Sequence, residues 1–284
     1  MSDVWAEWLR TRRTGGDPEY ERRMLEQLAT VRDKVLDNAG LASGETVLDV
    51  GCGNGLIAFG ALERGANVVF ADISRALLDD CRQLAADAGI ADRCRFVEAT
   101  ATELDEIEDE SIDVVTTRSV LIYVKDKQRA LAEFHRVLRP GGRISLFEPI
   151  NRFGTEQRRT TCGYDVEGVR ELMAKLTQAY ERRQPPDDPM LDFDERDLVS
   201  LAEDTGFFPI HLEYRADIEP PEARNWDAFV HSSANPKIPT LAEAMDEALT
   251  ADERDRLVGA LRPAVEEGRG VWRMGHAYLW AVKQ

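Results

Sequence analysis

Three glycines and an aspartate, packed into nine positions, are the residues of this chain best suited to hold a ligand. Residues 47–55 read Val-Leu-Asp-Val-Gly-Cys-Gly-Asn-Gly, so Asp49 stands two positions before the first of Gly51, Gly53 and Gly55. Glycines let the backbone approach a ligand closely, and N–H groups at a helix N-terminus donate hydrogen bonds to it. The motif predicts a small-molecule site where a strand turns into a helix.

Two carboxylates help to decide which ligand such a turn would bind. A Gly-x-Gly-x-Gly sequence alone would also suit a dinucleotide. Asp72 ends the next apolar run, where its carboxylate could accept hydrogen bonds from both hydroxyls of a ribose. Asp49 would repel a pyrophosphate and attract a cationic or ammonium-bearing ligand. The pair points away from NAD, and a nicotinamide dehydrogenase is kept as an alternative.

The motif lies within a chain in which short β-rich apolar runs alternate with helical stretches. Strands alternating with helices predict an α/β fold, a mostly parallel sheet with helices on both faces. The seven predicted strands are 46–50, 67–71, 95–97, 112–117, 143–147, 210–214 and 277–282.

Two stretches, 150–192 and 219–270, interrupt this alternation with helical and proline-rich sequence. Residues 1–40 are also helical and amphipathic. Additions to α/β folds follow the core strands, so we expect these three stretches to form a helical cap over the C-terminal edge of the sheet. The core is then predicted to comprise 41–149, 193–218 and 271–284.

Five ordered segments resemble the class I S-adenosylmethionine-dependent methyltransferases, of the small-molecule type. The resemblance covers about residues 24–148 well and the closing strands loosely, and it implies a Rossmann-like fold with S-adenosylmethionine as cofactor. No spacing of His, Asp or Glu suggests a metal site. The segments are VLDVGCGNG (47–55), VVFADIS (68–74), FVEATATEL (96–104), DVVTTRSVLIYV (113–124) and LAEFHRVLRPGGRISLFEP (131–149).

The resemblance also implies which residues bind the cofactor. Asp72 would bind the ribose hydroxyls and Ile73 would pack on the adenine. Thr100 stands where the family usually has an acid, so its hydroxyl or a water would meet the adenine amino group, followed by a backbone contact at Ala101. Arg118 would line the pocket through its backbone. The whole implied set is Asp49, Gly51, Cys52, Gly53, Gly55, Asp72, Ile73, Thr100, Ala101 and Arg118.

The acceptor side is less defined. A hydroxyl nucleophile needs a base, for which His231, Tyr123 and Glu148 are the candidates. Arg152, Arg158 and Arg159 could recognise a carboxylate, with a solvated loop as the alternative. Acceptor pockets are mostly apolar with a few polar groups, although each aromatic residue could equally be core. The candidates for acceptor binding are Trp5, Trp8, Tyr20, Tyr164, Trp226, His231 and Asn235.

The charge and the cysteine content indicate which partners and which cellular compartment to expect. With 36 basic and 53 acidic side chains, the formal net charge of −17 disfavours binding to nucleic acid or anionic membranes. The four cysteines fit neither a zinc pattern nor a disulfide framework, which favours free thiols. No signal peptide or transmembrane stretch is apparent. We therefore expect a cytoplasmic protein, with a homodimer as one possible assembly.

These observations predict a methyltransferase that acts on an oxygen or nitrogen of a small molecule, such as a secondary metabolite. After the fourth predicted strand the chain has Thr117-Arg118-Ser119-Val120, not the Asn/Asp-Pro-Pro-aromatic motif of methyltransferases for planar nitrogens. Two alternatives stay open. One is methylation of a peptide or protein side chain, and the other is a non-catalytic module that only binds S-adenosylmethionine.

Overall fold

The protein divides into two compact units. The computed structural model describes residues 3–154, 163–166, 168–185 and 187–284. The sheet unit comprises Glu26–Ile150, Phe193–Arg215 and His276–Gln284, and the helical unit comprises Met1–Leu25, Asn151–Asp192 and Ala216–Gly275. Both sequence interruptions therefore fall in one unit with the start of the chain, but the first boundary lies near residue 25 and not at residue 40.

Seven strands form one sheet in the order β3-β2-β1-β4-β5-β7-β6. The pairs β1–β2, β2–β3, β1–β4 and β4–β5 are parallel, and β5–β7 is antiparallel. The predicted α/β fold with a mostly parallel seven-stranded sheet is confirmed. The strands are β1 (Thr46–Val50), β2 (Asn67–Asp72), β3 (Cys94–Glu98), β4 (Ile112–Arg118), β5 (Leu138–Pro149), β6 (Phe207–Glu219) and β7 (Trp272–Lys283).

Helices connect these strands and build the second unit. Short 3-10 turns lie at Ala91–Arg93, Leu121–Tyr123 and Asn151–Gly154, and a π-helical turn at Trp8–Arg12 follows the first helix. The α-helices are α1 (Val4–Glu7), α2 (Pro18–Asn38), α3 (Leu56–Glu63), α4 (Arg75–Asp87), α5 (Lys127–Val137), α6 (Arg170–Glu181), α7 (Glu195–Thr205), α8 (Trp226–Val230), α9 (Leu241–Ala248) and α10 (Ala251–Glu267).

Both faces of the sheet are buried. Val47 and Phe70 pack in one hydrophobic cluster with residues of α2, α3 and α4. Leu48 and Val115 point to the opposite face, because side chains alternate along a strand, and they are fully buried as well. Apolar runs without alternation, such as that of β1, are typical of strands covered on both sides.

The parallel register brings the ends of the central strands to one edge. Val50 pairs with Ala71 of β2 and with Thr117 of β4, and Arg118 pairs with Phe147 of β5. The segments that follow β1, β2 and β4 therefore leave the sheet side by side. Ligands of open α/β sheets bind at this edge.

The helical unit has a hydrophobic core of its own. Side chains of α6, α8, α9 and α10 pack together there, among them Leu172 and Leu261. Capping boxes begin α9 at Thr240 and α10 at Thr250, where each threonine accepts from a backbone N–H three residues later. The sequence did not predict α8.

Candidate active site

Asp72 is held in one orientation at the end of β2. Its Oδ2 accepts from the backbone N–H of Gly53 and its Oδ1 from that of Ser74, each at 2.8 Å. Ser74 also caps α4 by accepting from Leu77 N. The carboxylate thus joins the glycine turn to the next helix at the sheet edge, at the place predicted for a ribose.

The glycine turn needs glycine at its first and last positions. Gly51, Gly53 and Gly55 have φ angles of 66°, 55° and 79°, a region that other residues rarely adopt. A Cβ atom on Gly51 would lie 2.4 Å from Val120 Cγ2, and one on Gly55 would lie 2.6 Å from the Phe59 ring. The turn is therefore tightly packed on both sides.

Asp49 lies beneath the glycine turn. Only 2% of its surface is exposed. Its Oδ1 accepts from Thr116 Oγ1 at 2.8 Å, and its Oδ2 accepts from Ala58 N, in the first turn of α3, at 3.1 Å. Burial raises the pKa of this carboxyl to about 7. Asp49 thus fixes the helix start and contributes a charge sensitive to its surroundings, where the sequence predicted direct cofactor contact.

Glu148 fixes the segment that follows β4. Its Oε1 accepts from the backbone N–H groups of Val120 and Leu121, both at 3.0 Å, and from Thr117 Oγ1 at 3.3 Å. Its Oε2 accepts from Ile122 N at 3.2 Å. The residue is fully buried, and this burial raises the pKa of its carboxyl to about 7.

This arrangement corrects one prediction. Glu148 was a candidate base, but its buried oxygens hold a backbone turn and lie out of contact with solvent. The turn begins at Ser119, whose φ of 58° is unusual for a residue other than glycine. Through Val120 the same turn packs on Gly51. Sequence reasoning missed this link because the acceptor set of a buried carboxylate depends on tertiary contacts.

Arg118 and Tyr123 flank this turn. Burial lowers the pKa of the Arg118 guanidinium, and the negative charges of Asp49 and Glu148 and the Tyr123 hydroxyl oppose that shift. Tyr123 ends the 3-10 turn after β4 and is half-buried. Of the candidate bases, Tyr123 is thus the one that the structure places at this edge of the sheet unit.

The predicted adenine contacts lie at the ends of β2 and β3. Ile73, which follows the buried Asp72, is 50% exposed, so its apolar side chain is open to contact at the end of β2. Thr100 is exposed, with its Oγ1 3.1 Å from Thr102 Oγ1, while Ala101 is buried. An apolar side chain and a hydroxyl at neighbouring strand ends suit a flat heterocycle with a polar edge.

The thiols near the turn are structural. Cys52 is buried, and its pKa is raised above that of an ordinary thiol by its contact with Cys81 and by burial. Cys81 donates to the Gly53 carbonyl at 3.5 Å. Cys52, Cys81 and Cys94 form no disulfide, and Cys162 lies outside the described residues. These contacts fit Cys52 as a small filler in the turn.

The candidate residues for acceptor binding lie in the helical unit, and they differ in how deeply they are buried there. Tyr164 and Trp226 belong to the hydrophobic core of that unit, so their predicted place in a pocket wall is corrected to core packing. Asn235 is buried and accepts from Lys237 N. Trp8 donates to the Ser233 carbonyl at 2.9 Å.

Three other candidates are less buried. Trp5 and Tyr20 are half-buried, and His231 is exposed. The Nδ1 of His231 lies 2.7 Å from the Asp227 carbonyl oxygen, an acceptor only, so Nδ1 carries the proton and Nε2 can accept one. Arg158 and Arg159 lie outside the described residues.

The part of the chain that the structure describes contains no group of three or more His, Cys, Asp or Glu side chains placed to hold a metal ion. It also contains no helix that combines the length and the apolar character needed to cross a bilayer.

Comparison with known proteins agrees with this geometry. Residues 48–146 match a family model described as a methyltransferase domain. The ubiquinone biosynthesis O-methyltransferase of Hahella chejuensis is 36% identical over 136 residues, which is 48% of this chain and 56% of that protein. The predicted resemblance to methyltransferases is thus confirmed for this segment. The chain spans about half the length of the curated relatives it matches.

Solved structures extend the likeness in fold to most of the chain. A geranyl diphosphate methyltransferase superposes with a TM-score of 0.56 at 18% identity, covering 95% of this chain and 92% of that one. A [4+2]-cyclase superposes with a TM-score of 0.54 at 21% identity, covering 90% of this chain and 81% of that one. At such identities these likenesses establish the Rossmann-like fold alone.

Proposed function

We propose that this chain is an enzyme that transfers a methyl group from S-adenosylmethionine to an oxygen or nitrogen of a small molecule. One observation carries the proposal: Asp72 is oriented by Gly53 N and Ser74 N, at 2.8 Å each, beside a turn of three glycines. A carboxylate held in this way is suited to accept hydrogen bonds from two neighbouring hydroxyls. The family match of residues 48–146 supports the same cofactor.

The other cofactor contacts are assigned by position in the sheet. Ile73 packs on the adenine, and Thr100 with the backbone of Ala101 meets its polar edge. The backbone at Arg118 lines the pocket beside Gly51. Asp49 acts from beneath the turn, where its ionised form attracts a cation.

When bound, the cofactor supplies an electrophilic methyl group on a positively charged sulfur. The chain then has to align the acceptor with that methyl group and exclude water, and alignment alone can lower a barrier by about 7–11 kcal/mol. An acceptor hydroxyl also needs a proton acceptor. The candidates for this role are Tyr123, at the end of the turn after β4, and Nε2 of His231, whose Nδ1 is engaged with Asp227 O.

An oxygen acceptor is the favoured choice. Seven curated relatives, at 33–36% identity, are named ubiquinone biosynthesis O-methyltransferases. The size of the helical unit favours a bulky acceptor. Two alternatives are kept as outcomes of the test: methylation of a peptide side chain, and cofactor binding without methyl transfer. The [4+2]-cyclase illustrates that this fold also occurs in a protein named for other chemistry.

The setting of the reaction is also a proposal. The net charge of −17 favours a cytoplasmic protein without a nucleic-acid or membrane partner, because both surfaces are anionic. We infer a small-molecule acceptor as its main partner and keep a homodimer as one possible assembly.

Calorimetry on Asp72→Ala tests the cofactor site. Each lost charge-assisted hydrogen bond is worth about 1.5–3 kcal/mol, so S-adenosylmethionine affinity should fall at least tenfold. The matched control is Asp79→Ala, which removes an exposed carboxylate from α4 and should leave the affinity unchanged. Equal affinities in the two variants would remove Asp72 from the site.

Methyl transfer is tested by incubating the protein with methyl-labelled S-adenosylmethionine and extracts of its source organism. Label in a small molecule supports the proposal, and the product identifies the acceptor atom. Label in protein favours the peptide alternative. Tight cofactor binding with no labelled product supports the non-catalytic module and contradicts the proposed enzyme.

A further inference from the structure

Arg224, just before α8 in the helical unit, contacts two aromatic rings. Its guanidinium carbon lies 3.9 Å from the centroid of the Tyr20 ring and 5.4 Å from that of the Phe229 ring. Arginine stacks well on aromatic faces because its cation is planar and weakly hydrated.

The residues around Arg224 are closely packed. Thr14 is buried, and its carbonyl oxygen accepts from Arg224 Nη2 at 3.4 Å. Gly15 packs so closely on α8 that a Cβ atom there would lie 1.9 Å from the Ala228 carbonyl oxygen. The residues around the guanidinium thus come from two distant parts of the chain that meet in this unit.

The charge of Arg224 has no carboxylate partner among the residues that the structure describes. The nearby acid Glu222 pairs instead with Arg23, at 3.7 Å. Other arginines of the unit have partners, such as Arg12 with Glu243 and Arg182 with Glu247. Among the described residues, Arg224 is therefore a cation without an acidic partner in a chain of net charge −17.

Arg224 Nε is also closed off from solvent without a hydrogen-bond acceptor. Of the four such buried side-chain atoms in the described part of the chain, three belong to the helical unit: Arg224 Nε, Ser233 Oγ and Trp272 Nε1. Folded proteins satisfy nearly all buried polar groups, so the unpaired Nε shows that the hydrogen bonds of this guanidinium are incomplete within the protein.

We propose that Arg224 binds an anionic group, a carboxylate or a phosphate monoester, on the acceptor molecule. An anion lying in the guanidinium plane can accept two parallel hydrogen bonds from one edge of the fork, the arrangement in which arginine is most selective. The flanking Tyr20 and Phe229 rings would then border the apolar part of the ligand. That the ligand is the methyl acceptor rests on the proposed function, whereas the anion site itself does not.

The test compares anionic and neutral probes of similar shape. Binding of benzoate, phenyl phosphate and benzamide to the full chain is measured by ligand-detected NMR and calorimetry. The wild-type protein should bind at least one anion tenfold or more tightly than benzamide, and the tighter anion distinguishes a carboxylate from a phosphate ligand. Arg224→Gln should abolish this preference, and Arg224→Lys should retain only part of it.

Matched controls separate this result from other failures. Arg182→Gln removes the same charge from an exposed position of the same unit and should keep the preference. S-adenosylmethionine affinity, measured on each variant, should not change with Arg224. A wild-type protein that does not bind S-adenosylmethionine would contradict the proposed function. The result on anion binding would remain valid in that case.

Two outcomes would overturn the proposal. One is a wild-type protein that binds benzamide as tightly as both anions. The other is an Arg224→Gln protein that keeps the anion preference. If Arg224→Gln does not fold, the wild-type preference and the Arg224→Lys protein decide the matter, together with the shift of the Arg224 Nε–H resonance on adding the favoured anion.

Discussion

The two units differ in how they treat buried polar groups. In the sheet unit, the buried carboxylates of Asp49, Asp72 and Glu148 each accept at least two hydrogen bonds from the protein. Among the residues that the structure describes, the helical unit has three side chains with a buried polar atom that lacks a hydrogen-bond partner: Arg224, Ser233 and Trp272. The sheet unit has one such side chain, Asn38.

This difference teaches how one fold serves two ligands. A cofactor shared across a family is met by a preorganised site, in which backbone donors fix each carboxylate before binding. In the helical unit, the anion proposed above would supply the acidic partner that Arg224 lacks. We therefore expect substitutions in the sheet unit to change the affinity for the cofactor, and substitutions in the helical unit to leave that affinity unchanged.

Matched cavities in the two cores should give the largest effects and separate them. Phe70 is fully buried and stacks on Phe96 with ring centroids 4.8 Å apart, so Phe70→Ala should cost about 3–5 kcal/mol of unfolding free energy and weaken cofactor binding. Leu261 is fully buried in the helical unit, and Leu261→Ala should cost about 2–5 kcal/mol. Urea unfolding and calorimetry measure both quantities.

The comparison holds if Leu261→Ala keeps its S-adenosylmethionine affinity within about twofold of the wild type. A helical-unit cavity that weakened cofactor binding as much as Phe70→Ala would mean that the two units act as one in binding. Unfolding in a single transition for both variants would not by itself decide the question, because affinity is the discriminating measurement.

A second prediction concerns the contact between the glycine turn and the segment after β4. Gly51→Ala places a Cβ atom 2.4 Å from Val120 Cγ2, and Glu148 holds Val120 in place. We expect S-adenosylmethionine affinity to fall at least tenfold, which is about 1.4 kcal/mol.

The control for this variant is Gly141→Ala. Gly141 also has a positive φ, 79°, but a Cβ atom there meets nothing within 4 Å. Both variants incur the left-handed penalty of about 1–2 kcal/mol, and only Gly51→Ala should lose affinity. Equal affinities would show that the Val120 contact does not shape the site.

The sequence predicted the sheet unit well because local signals and tertiary structure agree there. β1 and β2 are short apolar runs ended by Gly51 and Asp72, and periodicity locates such runs to within a residue or two. The predicted strand at 143–147 was too short, since β5 begins at Leu138, within a turn-like Pro-Gly-Gly sequence. That sequence pairs with β4 through an irregular register, which no local signal reveals.

The helical unit was predicted less well because its residues have no local motif. Tyr164 and Trp226 looked like pocket residues, but aromatic side chains are equally suited to a core, and packing decides between the two. Arg224 was not selected at all. Its lack of an acid partner is visible only once Tyr20 and Phe229 surround it in space.

The last prediction is a pH dependence that arises in the sheet unit. Burial raises the pKa values of Asp49 and Glu148 to about 7 from ordinary values of 3.8 and 4.5. Between about pH 4 and pH 7 the folded protein therefore binds more protons than the unfolded chain, so the free energy of unfolding should fall as pH rises through this window and level off above it.

Cofactor binding should follow the opposite trend, because a cation favours ionised Asp49 and binding then releases a proton. At pH 6, one unit below a pKa of about 7, about a tenth of such a group is ionised, so affinity should rise several-fold, and at most about tenfold, from pH 6 to pH 8. Calorimetry in buffers of different ionisation enthalpy measures both affinity and proton release. Asp49→Asn should flatten the profile, whereas a wild-type profile that is already flat would exclude Asp49 as the titrating group.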